Sequence, residues 1–164
     1  MSFTMTSKYI DKCNATAVKI IKMLFSKQYM PSKDHENNSA PSFKTKYIVK
    51  TEMRSDTHEV QVILGLSEDS VHDLLAEILN LSSSSSEQEE MLSSALGELT
   101  NTIAGHLANQ TEFKGNFGVL YPSPPDFWIA DNTLPKFENH DGFSSRVISG
   151  NLDIHTHLSI HPIQ

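Results

Sequence analysis

Cysteine is nearly absent: Cys13 stands alone in a chain of 164 residues. One thiol can form no internal disulfide and no thiolate metal cluster, and such sparing use fits a reducing compartment. Positive charge is also scarce, with 13 Lys and Arg against 20 Asp and Glu and a formal net charge of −7. Nucleic acid needs a concentrated basic face and anionic lipid a polybasic patch, so the balance argues against both partners. Long apolar runs are missing. The best candidate near the start, Ala17 to Phe25, is interrupted by Lys19 and Lys22, which argues against a secretory leader. No stretch approaches the ~20 apolar residues of a membrane helix. What remains is 38% hydrophobic and 20% charged, enough to bury a core. The expectation is one cytoplasmic domain over residues 1–164.

Periodicity supplies the elements. From Ser7 to Phe25 the residues Ile10, Cys13, Ala17, Ile20, Ile21 and Leu24 recur at helical spacing, which predicts an amphipathic first helix. Ser26 to Ser42 is polar, contains Pro31, Pro41 and Asn37-Asn38-Ser39, and reads as a mobile loop. Lys44–Met53 and Glu59–Leu66 read as strands of a hairpin turned by Arg54-Ser55-Asp56-Thr57. Ser67 suits a helix N-cap, with Glu68 and Asp69 in the first turn of a second helix reaching about Leu81. That helix places Val71, Leu74, Leu75 and Ile78 inward. Ser82 to Ser86 reads as a flexible connection, and Glu87, Glu89 and Glu90 open a third helix reaching about Asn109. Then come Phe117–Tyr121, a loop with Pro122, Pro124 and Pro125, the run Phe127-Trp128-Ile129, a loop to Phe143, and strand-like Ser145–Ile148 and Leu152–Ile160. Flexible loops are therefore expected at about 26–43, 82–86 and 122–143. The order α-β-β-α-α-β-β(-β) predicts an α+β fold, a layered sandwich of helices on a mixed or antiparallel sheet.

The third helix carries the most information. At 100° per residue, Leu92, Leu96, Leu99, Ile103 and Leu107 form a core stripe about 80° wide. Ser94, Glu98, Asn101 and Gly105 lie opposite within about 60°, bordered by Gly97, Ala104 and Ala108. Two mid-helix glycines cost about 1 kcal/mol each relative to alanine, so the missing side chains need a reason. Either another helix of the same protein seats there, or a partner approaches the backbone closely. The pair Glu-x-x-Asn is weak alone: 11 Glu and 10 Asn in 164 residues predict roughly 0.7 chance occurrences, and there are two, Glu77/Asn80 and Glu98/Asn101.

The longer string Ser94-x-x-x-Glu98-x-x-Asn101-x-x-x-Gly105 resembles the signature helix of the CheX/CheC/FliY chemotaxis phosphatases. The element order also resembles CheX, which carries one such helix where typical CheC proteins carry two. The long loop at 26–43, the serine run and the prolines at 122–125 depart from the family pattern. The resemblance implies a CheC-like fold and an enzyme, a phosphatase that hydrolyses the aspartyl phosphate of a CheY-like response regulator. It implies that Asn101 orients the attacking water, that Glu98 pairs with the regulator's lysine, and that Ser94 and Gly105 give clearance. No cofactor of the chain's own is implied, since Mg²⁺ belongs to the regulator. The alternative is a non-catalytic docking module of the same fold that binds a regulator or a flagellar switch component.

Other constellations carry less. His155, His157 and His161, with Asp153 on the same face of the last strand, have a spacing that permits metal ligation but equally describes a half-solvated strand, and the latter reading is taken. If Leu152–Ile160 lies at a sheet edge, two copies can pair there, and CheX-like proteins dimerise through sheet contacts, so a homodimer is expected. Phe127-Trp128-Ile129 reads as a short core strand and Cys13 as inert core.

Overall fold

The computed structural model describes residues 3–34, 36–38, 44–79, 85–130 and 142–163. The elements in chain order are α1 (Phe3–Phe25), β1 (Met30–Pro31), β2 (Glu36–Asn38), β3 (Tyr47–Arg54), β4 (His58–Leu66), α2 (Glu68–Leu79), α3 (Ser85–Ala108), α4 (Thr111–Phe117), β5 (Tyr121–Pro122), β6 (Asp126–Ile129), β7 (Gly142–Ser149) and β8 (Leu152–Pro162). One antiparallel sheet runs β1-β7-β8-β4-β3-β5, with β2 also pairing β7 and β6 also pairing β3. This is the layered α+β sandwich expected, with the sheet wholly antiparallel.

Alternation sets the register. Val49 faces Leu64, Thr51 faces Val62, and Val62 in turn faces Leu158. The inward row is thus Val49, Thr51 and Met53 on β3, Val60, Val62, Leu64 and Leu66 on β4, and Ile154, Leu158 and Ile160 on β8, all buried. A strand shifted by one residue would expose its whole row, so the pattern fixes the pairing. On this face α1 packs against β7 and β8, and α3 against β3 and β4. They contribute Tyr9, Ile10, Cys13, Ile20 and Ile21 from α1, and Leu92, Leu96, Leu99, Ile103 and Leu107 from α3. Fully burying each such side chain is worth roughly 1.5–3 kcal/mol. The other face holds a second cluster of Ile48 and Ile63 with Trp128 and Ala130, which explains why β4 is apolar on both faces from Val62 to Leu66.

The hairpin turn and the second helix form as the sequence indicates. Ser55 N–H donates to the His58 carbonyl at 2.9 Å, and the Ser55 hydroxyl donates to the Phe117 carbonyl at 2.6 Å. Ser67 caps α2 by accepting from Ser70 N–H at 3.2 Å. Val71, Leu74 and Leu75 face inward as expected; the Ile78 side chain and residues 80–84 lie outside the described residues.

Four expectations are corrected. Residues 26–43 are not all loop, because β1 and β2 pair with β7, and Ser32 N–H donates to the Arg146 carbonyl at 2.8 Å. The edge of β7 has unmet backbone groups that even a polar segment can satisfy, and proline is tolerated on an edge strand. Second, the other two expected loops are shorter than expected: β5 pairs with the edge of β3 at Tyr121–Pro122 and α3 begins within the serine run at Ser85, while β6 is the short strand expected at Phe127-Trp128-Ile129. Third, α4 stands where no helix is read from the sequence. It is only seven residues long and carries Gly115 and Asn116, but Phe113 and Phe117 are buried one turn apart. Tyr9 meets both rings edge-on, at 5.5 and 5.0 Å. Lys8 and Lys12 pair with Glu112 across this contact, Lys12 at 3.2 Å, and hold its carboxyl below the usual range. Fourth, Leu152–Ile160 is no edge: β8 lies between β4 and β7, pairing with β7 over Leu152–Ser159 and with β4 over Ile154–Pro162.

Candidate functional site

On α3 the core stripe is buried as the periodicity requires, while Ser94 and Glu98 are exposed and Asn101 and Gly105 half-buried. Thr102 turns its hydroxyl back to the Glu98 carbonyl at 2.7 Å, and Thr100 does the same to Leu96 at 2.9 Å. Both neighbouring hydroxyls are thereby spent on the helix's own backbone. The outward polar groups are left to be Ser94, Glu98 and Asn101. Among the described residues no ion pair or hydrogen bond engages the Glu98 carboxylate, so its charge is available to a partner.

Asn101 is held differently. Its Oδ1 accepts from the Thr51 hydroxyl at 2.7 Å, and Thr51 is completely buried on β3. Asn101 therefore stands at the line where α3 meets the sheet, more enclosed than a position opposite the core stripe implies. With Oδ1 turned inward, the Nδ2 end of the amide is the outward donor. Sequence reading missed Thr51. The signal was present: it is a polar residue in an inward row that otherwise reads Tyr47, Val49 and Met53.

The two glycines have separate reasons. A Cβ at position 97 would lie 2.9 Å from Pro125 Cγ, so Gly97 seats the proline segment of the same chain, a loop where a helix was one of the alternatives. A Cβ at position 105 would meet nothing within 4 Å among the described residues. Among the described residues the lower half of the face is open, and Pro125 walls the upper half beside Glu98.

The other candidates sort themselves by their contacts. Asp153, His155 and His157 do share the face of β8, but each histidine is engaged locally. His155 Nε2 lies 2.9 Å from Asp153 Oδ1, and His157 Nδ1 lies 2.8 Å from the Ser144 hydroxyl and is fully buried. No group of three ligating side chains is assembled among the described residues. Trp128 joins the second core cluster, and Phe127 and Ile129 pack on the first, as a short core strand should. Cys13 is buried, and burial pushes its thiol up to about 12. No helix among the described residues is long and apolar enough to cross a membrane.

No protein-family profile matches the sequence, and no curated sequence does. Solved structures match by shape. The chemotaxis protein CheX of Vibrio vulnificus superposes with a TM-score of 0.76 at 11% identity, over 94% of this chain and 99% of that one. The chain has the CheX-type fold. A CheC-like superfamily protein from Shewanella sp. PV-4 matches with a TM-score of 0.76 at 14% identity, over 98% of this chain and 99% of its own. CheX of Borrelia burgdorferi, in a structure of the CheX–CheY–BeF3–Mg²⁺ complex, matches with a TM-score of 0.74 at 17% identity, over 93% and 97%. In this CheX-type fold α3 spans the β3 side of the sheet and lays Glu98 and Asn101 one turn apart on its accessible side. A carboxylate and a primary amide so placed can grip a cation and orient a small polar molecule beside it.

Proposed function

We propose that the chain accelerates hydrolysis of the aspartyl phosphate of a CheY-like response regulator. The observation that carries the reading is the pair on α3: a Glu98 carboxylate unengaged among the described residues and an Asn101 amide anchored at one end, one turn apart beside helix surface that no described residue covers at Gly105. The partner class is supported by the fold shared with a CheX that has been solved together with CheY.

In this reading Glu98 takes a lysine of the regulator and sets the register of the complex. Asn101 Nδ2 donates to a water oxygen, leaving a lone pair of that oxygen directed at phosphorus. The new P–O bond forms as the bond to the aspartyl carboxylate breaks; the carboxylate departs as an anion, and both protons of the water stay with the inorganic phosphate, released as H2PO4−. Phosphoryl transfer depends mainly on positioning and charge stabilisation, and a neutral amide places water without repelling the phosphoryl oxygens. Ser94 and Gly105 give clearance. Mg²⁺ is supplied on the regulator's side and stabilises charge there.

The test is inorganic phosphate release from phosphorylated regulators of the same organism, with and without this chain. Faster release from at least one regulator supports the phosphatase. Binding to a regulator with no acceleration replaces it with a docking module.

A further inference from the structure

We propose that Thr51 is a positioning residue for Asn101: its buried hydroxyl fixes which end of the amide faces the attacking water. The inference rests on the phosphatase reading above and deepens it. The two ends of an asparagine amide have nearly the same shape but opposite hydrogen-bonding character. An amide free to turn on a helix surface presents donor and acceptor alternately, and ordering it in the transition state costs side-chain entropy.

Thr51 removes that freedom. It lies in the middle of β3, paired with Val62, and it is completely buried. Its β-branched side chain is stiff at χ1. From there its hydroxyl donates to Asn101 Oδ1 at 2.7 Å. The anchor is on a rigid strand and the amide is on a helix, so the water-binding end is placed by the packing of α3 on the sheet. Such preorganisation is where rate is most sensitive to small displacements. Thr51 has no exposed surface and touches no partner; whatever it does for the reaction passes through Asn101.

The molecule contains its own control. Thr156 on β8 donates to Asn14 Oδ1 on α1, also at 2.7 Å. There the asparagine is completely buried with the threonine, so no water or regulator reaches it, and the bond is a strut between helix and sheet. The same bond thus occurs once enclosed and once at an accessible surface.

Thr51→Val deletes the hydroxyl with little change of shape, and water can replace it on half-buried Asn101, so the variant folds. Thr51→Ser keeps the hydroxyl, and Thr156→Val cuts the strut. Each variant is assayed for single-turnover phosphate release over a range of regulator concentrations, for urea stability, and for mobility of the Asn101 side-chain amide by ¹⁵N relaxation without regulator. Thr51→Val should lower the saturating rate about tenfold, within the cost of a misplaced group, with half-saturation changed less than about twofold. Its Asn101 amide should pass from a rigid to a mobile order parameter, below about 0.6. Thr51→Ser should recover most of the rate, and Thr156→Val should lose stability alone. A wild-type rate in Thr51→Val overturns the proposal, as does a loss shared by Thr156→Val at equal loss of stability. If wild type accelerates no regulator, the phosphatase reading fails, and the amide measurement still judges the anchor: unchanged mobility in Thr51→Val overturns it.

Discussion

Glu98 and Asn101 differ in how the fold treats them, and the difference predicts how each responds to change. Glu98 is exposed and unengaged among the described residues, so its substitution should leave folding nearly untouched. Glu98→Lys sets like charges together at a regulator lysine and should weaken association by tenfold or more, about 1.4 kcal/mol per tenfold. Glu98→Gln should weaken it less. Titration of regulator binding by fluorescence anisotropy checks the order, and equal affinity of wild type and Glu98→Lys rejects the pairing. Asn101 has a buried partner, so removing its amide strands the Thr51 hydroxyl and should cost on the order of 1 kcal/mol of stability. Helical spacing placed both residues on one face. It could not show that one of them is anchored, because Thr51 is 50 residues away and only the packing of α3 on β3 brings it near.

At the scale of elements, α3 shows why small residues deserve individual reasons. No described residue lies within 4 Å of a Cβ at Gly105, so Gly105→Ala should gain helix propensity, up to about 1 kcal/mol, in urea denaturation. Gly97→Ala should gain nothing or lose, because Pro125 Cγ already sits where the new methyl would go. A gain in both would show that Pro125 does not rest on the helix. The long periodic elements α1, β3, β4 and α3 were legible because burial on one face writes its period into the sequence. The short ones were not. In α4 two buried phenylalanines outweigh a glycine and an asparagine, and β1, β2, β5 and β6 form because their neighbours have free edges. Such information resides in the sheet and not in the segments that complete it.

For the whole molecule, the sheet order decides what the C-terminal strand can do. Its alternating run suggested an edge open to a second copy, but β8 is enclosed by β4 and β7. A strand buried between two others also shows alternation when its two faces differ in polarity, here Ile154, Leu158 and Ile160 against His155, His157 and Ser159, so period alone cannot place it. Among the described residues the free edges are those beyond the short strands on β7 and β3. A homodimer therefore remains a proposal carried by resemblance to CheX. If it forms, sedimentation equilibrium at micromolar concentration should give about twice the 18.3 kDa chain mass; a monomer throughout that range removes it.

The central claim is that the amide of Asn101 places the hydrolytic water, and the most direct measurement is phosphate release by Asn101→Ala beside wild type on the same phosphorylated regulator. Water placement acts on the transition state, so the variant should bind the regulator nearly as wild type does yet lose on the order of 10²–10³ in rate, as when an oxyanion donor is removed. Asn101→Asp, which sets a negative charge against the phosphate, should also be poor. A folded Asn101→Ala protein that releases phosphate as fast as wild type would contradict the account.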